Sequence, residues 1–375
     1  MMRIRTIVLG VSAACSTGGP YEELQDQGVD RYLGVFEPTD QSVDEEGVVS
    51  YRYAASDGGP MCLRGTDFYT MTRDQGHSDL VIFLQGGGLC YSDFCLAVGG
   101  AGPGIPAIDL LDPSESLNPV GDWNQVYVPY CDGSLFGGDV ELDDDGDGLV
   151  DRYHHGLQNL SAALDQAKQA FPEPRRILLA GSSGGGYGTI TGTVLTRIAY
   201  PDTPLFVLND AGVGLGLAGD PAFVWKLINE FEASAIVPES VPDILDSGHL
   251  SPLIGWQLQQ DPNLKVAAVS YTEDTVISQI YLAVDPKDFR AWLWDQMGTL
   301  EDRHTGRFAS FLPDGIQHTT LLGDPAGFMD PESEYAQALA PMLGGMDSTA
   351  VENVPLGKWI ENFVEGRSDW TSLWE

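Results

Sequence analysis

The feature that most constrains this chain is a set of short, continuously apolar runs, each ending in glycine or polar turn residues. They are DLVIFLQGGG, WNQVYVPYCDG, RRILLAGSSGGG, PLFVLNDAG and LKVAAVSYTED. A strand with one face in water alternates apolar and polar residues, whereas a strand covered on both faces is apolar throughout, the pattern of buried parallel sheet. Segments with helical spacing separate the runs: LQNLSAALDQAKQAF, GGYGTITGTVLTRIAY and DPKDFRAWLWDQMGTL. Strands alternating with helices predict the α/β class, a mostly parallel sheet with helices on both faces. The stretch from Val213 to Pro262 has few strand signals and several Pro and Gly, and reads as a cap or insertion region. In such sheets function gathers at the carboxyl ends of the strands, and most of the motifs below fall at such an end.

Composition bounds the function classes. With 43% apolar residues the chain can bury a sizeable core, and no internal repeat points to a solenoid or propeller. Lys and Arg number 19 against 55 Asp and Glu, a net charge of −36. A surface this negative repels nucleic acid, anionic membranes and polyanionic substrates. The N-terminus, MMRIRTIVLGVSAAC, has a short basic region (Arg3, Arg5) and an apolar stretch from Ile7 to Ala14 too short to span a bilayer. Residues 1–14 read as a secretory signal peptide, and Cys15 after two Ala resembles a bacterial lipoprotein cleavage site, although Ser12 stands where Leu is usual. The expectation is an exported protein, either secreted or anchored in the outer membrane through Cys15. Residues 15–40 read as a polar tether, and residues 41–375 are expected to form a single catalytic domain. Four further cysteines, Cys62, Cys90, Cys95 and Cys131, suggest two disulfides in an exported chain. Three pairings are open. The closeness of Cys90 and Cys95 would allow a small loop, leaving Cys62 with Cys131.

Gly181-Ser182-Ser183-Gly184-Gly185 follows the strand RRILLA and precedes a helix, matching the G-x-S-x-G nucleophile elbow of α/β-hydrolases. A serine on a sharp strand-to-helix turn needs glycines where side chains would clash, and the helix that starts there favours a developing negative charge. A dinucleotide loop is a poorer fit, because Thr189 falls where its last Gly should stand. A nucleophilic serine needs a base, and the chain order Ser, acid, His leaves His249, His304 and His318. His318, in FLPDGIQHTTLL, is favoured as the base; His304 looks like a solvated helix end, and His249 lies in the cap. Asp274, leaving LKVAAVSYTED, is the favoured acid, with Glu273 adjacent and Asp210 one strand earlier as the alternative. The glycines Gly86 to Gly88 end a strand, so the amides of Gly87 and Gly88, with that of Gly184 after the nucleophile, are candidates for an oxyanion hole.

These segments together resemble the pectin acetylesterase and Notum family of serine carboxylesterases. CLRGTDFY, LQGGGLC, VYVPYCDGSLFGGD, GSSGGG, NDAG, SYTED and the IQHTT loop fall in the family's order, from about Cys62 to His318. The resemblance implies an α/β-hydrolase-like fold, the triad Ser183, Asp274 and His318, and Gly87, Gly88 and Gly184 as oxyanion donors, with no cofactor for the chemistry. Two residues depart from the pattern: Leu89 follows the glycines where an aromatic is usual, and Ser182 replaces a Cys before the nucleophile. The net charge argues against polygalacturonate, so the expected substrate is a short-acyl ester of a neutral glycan or a similar ester. A lipase or polyester hydrolase acting on larger acyl groups, and a non-catalytic binding protein on the same fold, are the alternatives.

The loop ELDDDGDGLVDRYHHG adds a separate expectation. Asp143, Asp145, Asp147 and Asp151 have the spacing of a calcium loop, with Leu149 at the place that offers a backbone carbonyl. The usual acid at the twelfth position is missing, since His154 stands there. The alternative is a solvated acidic loop, and any ion here would be structural.

Overall fold

A computed structural model describes residues 19–56, 58–322, 332, 337 and 340–375. The signal segment and Cys15 lie outside the described residues.

The core is a ten-stranded sheet in the order β1-β2-β3-β7-β4-β10-β11-β12-β13-β16. Three strands at one edge, β1 (Asp40–Val43), β2 (Val48–Tyr53) and β3 (Phe68–Arg73), run antiparallel to their neighbours. From β7 (Asn124–Val128) onward every neighbour is parallel: β4 (Leu80–Leu84), β10 (Ile177–Ser182), β11 (Leu205–Asp210), β12 (Leu264–Val269), β13 (Phe308–Leu312) and β16 (Leu373–Trp374). The expected mostly parallel α/β sheet is therefore present, and the five apolar runs are β4, β7, β10, β11 and β12. The antiparallel edge was not anticipated, because SYRY and FYTMTR mix polar with apolar residues. Three small hairpins stand apart: β5 (Gly88–Tyr91) with β6 (Phe94–Ala97), β8 (Val140–Leu142) with β9 (Arg152–His154), and β14 (Ala350–Val351) with β15 (Val354–Pro355).

Both faces of the sheet are buried, which explains the unbroken apolar runs. Leu80, Ile82 and Leu84 of β4 join one core; Val81 and Phe83 join the other. The first core also takes in α2 (Gly156–Ala170), α3 (Gly184–Ala199), α5 (Ser251–Gln260) and α6 (Pro286–Arg303). The second is closed by α7 (Leu356–Val364), through Trp359, Ile360 and Phe363, and by irregular chain carrying Ile108, Leu111 and Trp123. The cap expected over Val213 to Pro262 contains α4 (Pro221–Glu230) and α5. Asp220 caps α4 by accepting from the Ala222 amide, with Pro221 in the first turn.

The expected tether needs correction where it is described. Tyr21, Leu24 and Val29 are buried in the first core, and Glu23 accepts hydrogen bonds from the Ser240 amide and hydroxyl. Tyr21 stands at the N-cap of the short helix α1 (Glu22–Asp26) and Leu24 within it, and both are buried. Two apolar anchors among many acids are enough to dock a segment whose average composition reads as solvated.

Candidate active site

β10 ends in a sharp turn. Ser183 has φ 55° and ψ −121°, a left-handed backbone that costs a non-glycine residue about 1–3 kcal/mol and persists only where its surroundings hold it. Two glycines make the turn sterically possible. A Cβ on Gly181 would lie 2.2 Å from the Gly185 carbonyl oxygen, and one on Gly185 would lie 2.0 Å from that of Leu84. The Ser183 amide donates to the Asp210 carbonyl at 2.8 Å, and its own carbonyl accepts from Tyr187 in the first turn of α3.

Ser183 Oγ lies 2.7 Å from His318 Nε2, and His318 Nδ1 lies 2.7 Å from Asp274 Oδ2. A carboxylate only accepts, so the Nδ1 proton faces Asp274 and the lone pair of Nε2 faces the serine hydroxyl. Asp274 is fully buried and its second oxygen accepts from the Ile277 amide at 2.9 Å. Burial pushes Asp274 above the usual carboxylate range; His318 and the amides of Ile277 and Val276 pull it back. The acid and base loops are laced together: Thr272, Glu273 and Thr275 donate backbone hydrogen bonds to Pro313, Gly315 and Ile316. Such an array can remove a proton from Ser183 and stabilise the imidazolium that results.

The other candidates sit elsewhere. Glu273 pairs with Arg290 at 3.3 Å. Asp210 makes its contacts with Ser182, Thr320 and Leu321. His249 is buried, its Nδ1 accepting from the Gly216 amide at 3.0 Å. His304 caps α6 and is also buried, so it is not the solvated helix end the sequence suggested. The His249 ring lies against Trp292 and the His304 ring against α5 at Gly255, contacts that sequence spacing does not reveal.

The glycine loop at the end of β4 lies beside the serine. Gly86, Gly87 and Gly88 line the same cleft as Ser183 and His318, and a Cβ on Gly184 would lie 3.1 Å from the Gly88 carbonyl oxygen. The loop continues into the β5–β6 hairpin, closed across its paired residues by a Cys90–Cys95 disulfide; Cys62 is joined to Cys131. Leu89, the departure from the family's aromatic, is buried, and Ser182, the departure before the nucleophile, donates to Asp210 at 2.8 Å.

Two cavities of unequal size meet at Ser183. One is a cleft of about 710 Å³ walled by the glycine loop, the small-residue stretch Gly100–Pro106, Tyr127 and Tyr281. No Asp, Glu, Lys or Arg lines it among the described residues. The other is a narrow apolar slot of about 50 Å³ between Leu135, Leu215, Phe223, Leu227 and Ile277. Tyr281 borders both cavities and donates its hydroxyl to the Leu96 carbonyl at 3.0 Å. Sequence reasoning missed these walls. The run GGAGPGIP was the one visible sign of an open cleft, whereas Tyr281 and Leu227 carry no local signal.

The acidic loop joins β8 to β9, and none of its residues is among those lining these cavities. Asp143, Asp145 and Asp151 each bring a carboxylate oxygen within 4.8 Å of the others. Asp143 also accepts from the amides of Gly146 and Gly148, and Asp147 accepts from that of Leu149. Oxygen-only ligands on a turn shaped by glycines fit a hard divalent cation.

Fold and site together define a protein of the α/β-hydrolase-like class. The pectinacetylesterase family model matches residues 103–217. Pectin acetylesterase 4 of Arabidopsis thaliana is 25% identical over 225 residues, covering 55% of this chain and 53% of the plant protein. Palmitoleoyl-protein carboxylesterase notum2 of Xenopus laevis is 28% identical over 150 residues, covering 34% of this chain and 28% of that protein. The NOTUM carboxylesterase of Schmidtea mediterranea is 34% identical over 84 residues, or 22% and 15%. The matches span about half the length of the plant relative and less of the others. The resemblance to the pectin acetylesterase and Notum carboxylesterases read from the motifs is thus borne out.

Proposed function

We propose that this chain is a serine carboxylic-ester hydrolase that removes a short acyl group from a bulky, uncharged alcohol, an acetylated neutral glycan being the chemical type. The observation that carries the reading is the continuous array Ser183–His318–Asp274 opening onto a small apolar slot and a large cleft lined, among the described residues, by no Asp, Glu, Lys or Arg. In this mechanism His318 Nε2 takes the Ser183 proton as Oγ attacks the ester carbonyl. Amides of Gly87, Gly88 and Gly184 receive the oxyanion, a single such donor being worth about 3 kcal/mol. The imidazolium returns its proton to the leaving alcohol. Water, deprotonated by His318, then attacks the acyl-enzyme and releases the acid and Ser183. No cofactor enters these steps.

The narrow slot supports the short acyl group, and the wide cleft accommodates the alcohol. A longer acyl chain is the second reading. It is favoured by another small cavity, about 40 Å³, that shares Leu135, Tyr187 and Leu227 with the slot. A series of p-nitrophenyl esters and a panel of acetylated polysaccharides, with Ser183→Ala as control, separate the readings. Release confined to acetate and propionate supports the first, a rise toward octanoate supports the second, and no turnover of any ester supports a binding protein.

Two further expectations belong with this proposal. The paired cysteines suit an oxidising compartment, in keeping with export by secretion or through a lipid on Cys15. Among the described residues no helix is long and apolar enough to cross a membrane. We assign a structural calcium ion to Asp143, Asp145, Asp147, Asp151 and the Leu149 carbonyl. A melting temperature that rises with calcium and falls with chelator, in the wild type but not in Asp145→Asn, supports it; equal values overturn it.

A further inference from the structure

Asp210 ends β11 and is fully buried, yet no arginine or lysine pairs with it among the described residues. Its carboxylate is held instead by neutral donors from two different loops. Ser182 Oγ donates at 2.8 Å from the nucleophile turn. From the loop beyond His318, the Thr320 amide donates at 3.0 and 3.1 Å to the two oxygens, the Thr320 hydroxyl at 3.0 Å and the Leu321 amide at 3.1 Å. The Asp210 backbone carbonyl takes the Ser183 amide at 2.8 Å. Its neighbour Asn209 fixes the same strand end to α3, donating to the Gly186 carbonyl and the Thr189 hydroxyl.

One residue thus touches the segment on each side of the Ser183–His318 contact and touches neither reacting side chain. We infer that Asp210 is a positioning residue that holds the His318 loop in register with the nucleophile turn. The inference rests on the esterase reading of Ser183 and His318.

The physical argument runs through cost. Burying a carboxylate is expensive, and here burial raises Asp210 to about 6 despite four kinds of donor contact. An apolar side chain would close the same space without that cost. What only an acceptor with two oxygens can do is bind amides and hydroxyls of both loops at once, at fixed angles. Displacing a catalytic group by about 1 Å costs on the order of 100-fold in rate. The departure of Ser182 from the family's Cys belongs to the same device, since its hydroxyl is one of the donors.

The test compares wild type, Asp210→Ala, Asp210→Asn and Thr320→Val in p-nitrophenyl acetate hydrolysis, fluorophosphonate labelling of Ser183 and thermal melting. Asp210→Ala is expected to lower kcat about 100-fold with KM within about threefold, and to slow labelling in parallel. Asp210→Asn keeps one oxygen for the Thr320 and Leu321 amides and should return kcat to within about tenfold of wild type. Thr320→Val, which loses one donor, should lose less than about tenfold and keeps the question answerable if the alanine variant does not fold. Folded variants with wild-type kcat and labelling rate overturn the positioning role while the esterase reading stands. A wild-type chain whose Ser183 is never labelled overturns the esterase reading, and this role with it.

Discussion

Ser183 holds a strained backbone because Gly181 and Gly185 leave it room and the Asp210 carbonyl binds its amide. Strain of this kind is a feature of functional positions, where pre-organisation outweighs the loss in stability. Within the array, Asp274 sets the tautomer of His318. Asp274→Asn keeps the shape but allows the wrong tautomer, and is expected to lower kcat by about 10⁴ with little change in melting temperature. Steady-state kinetics of the purified variant check this. A second prediction concerns Asp132, fully buried with Ser134 as hydroxyl and amide donor and raised to about 6, chiefly by burial. Its folded value lies above the unfolded one of about 4, so it contributes stability that is present below pH 4 and lost as pH rises through 6. Asp132→Asn lacks that loss. Relative to wild type it should gain up to about 3 kcal/mol between pH 4 and 6 in urea titrations. At this scale much of the site could be read from local patterns: a glycine-flanked serine after a strand, a late histidine, an acid after a strand. Asp210 was mistaken for an alternative acid because sequence places it at a strand end without saying which way its carboxylate turns.

The elements explain what was and was not legible. β4, β7, β10, β11 and β12 announced themselves because two buried faces leave no polar alternation. β2 and β3 did not, since edge strands with Tyr51, Arg52 and Thr70 resemble loops in composition. α1 was read as tether because two anchors are outnumbered by its acids. The cap helices α4 and α5 were hidden by their prolines, which start the helices rather than break them. α4 places Phe223, Val224 and Leu227 against the apolar slot, and Leu227 stands between the slot and the smaller cavity behind it. Leu227→Ala should join the two cavities. The expected outcome is a rise of about tenfold in the ratio of octanoate to acetate hydrolysis, since each buried CH₂ gains about 0.8 kcal/mol. An unchanged ratio across the p-nitrophenyl ester series would remove α4 from the acyl site.

For the whole molecule the governing quantity is the net charge of −36 set around a cleft lined by no charged side chain among the described residues. Charge at long range repels polyanions, and salt screens it over about 10 Å at 0.1 M. Hydrolysis of acetylated neutral glycan should therefore be nearly flat in salt, whereas hydrolysis of acetylated polygalacturonate should be weak and should rise severalfold between low and moderate salt. Initial rates on the two polymers at several sodium chloride concentrations make the comparison. The central claim, however, is that Ser183 carries the acyl group, and intact-protein mass spectrometry of the chain quenched with acid during turnover of p-nitrophenyl acetate tests it most directly. The account predicts one acetyl group per chain, mapped to Ser183 by peptide sequencing and absent from Ser183→Ala; an acetyl group on another residue, or turnover that survives Ser183→Ala, would contradict it.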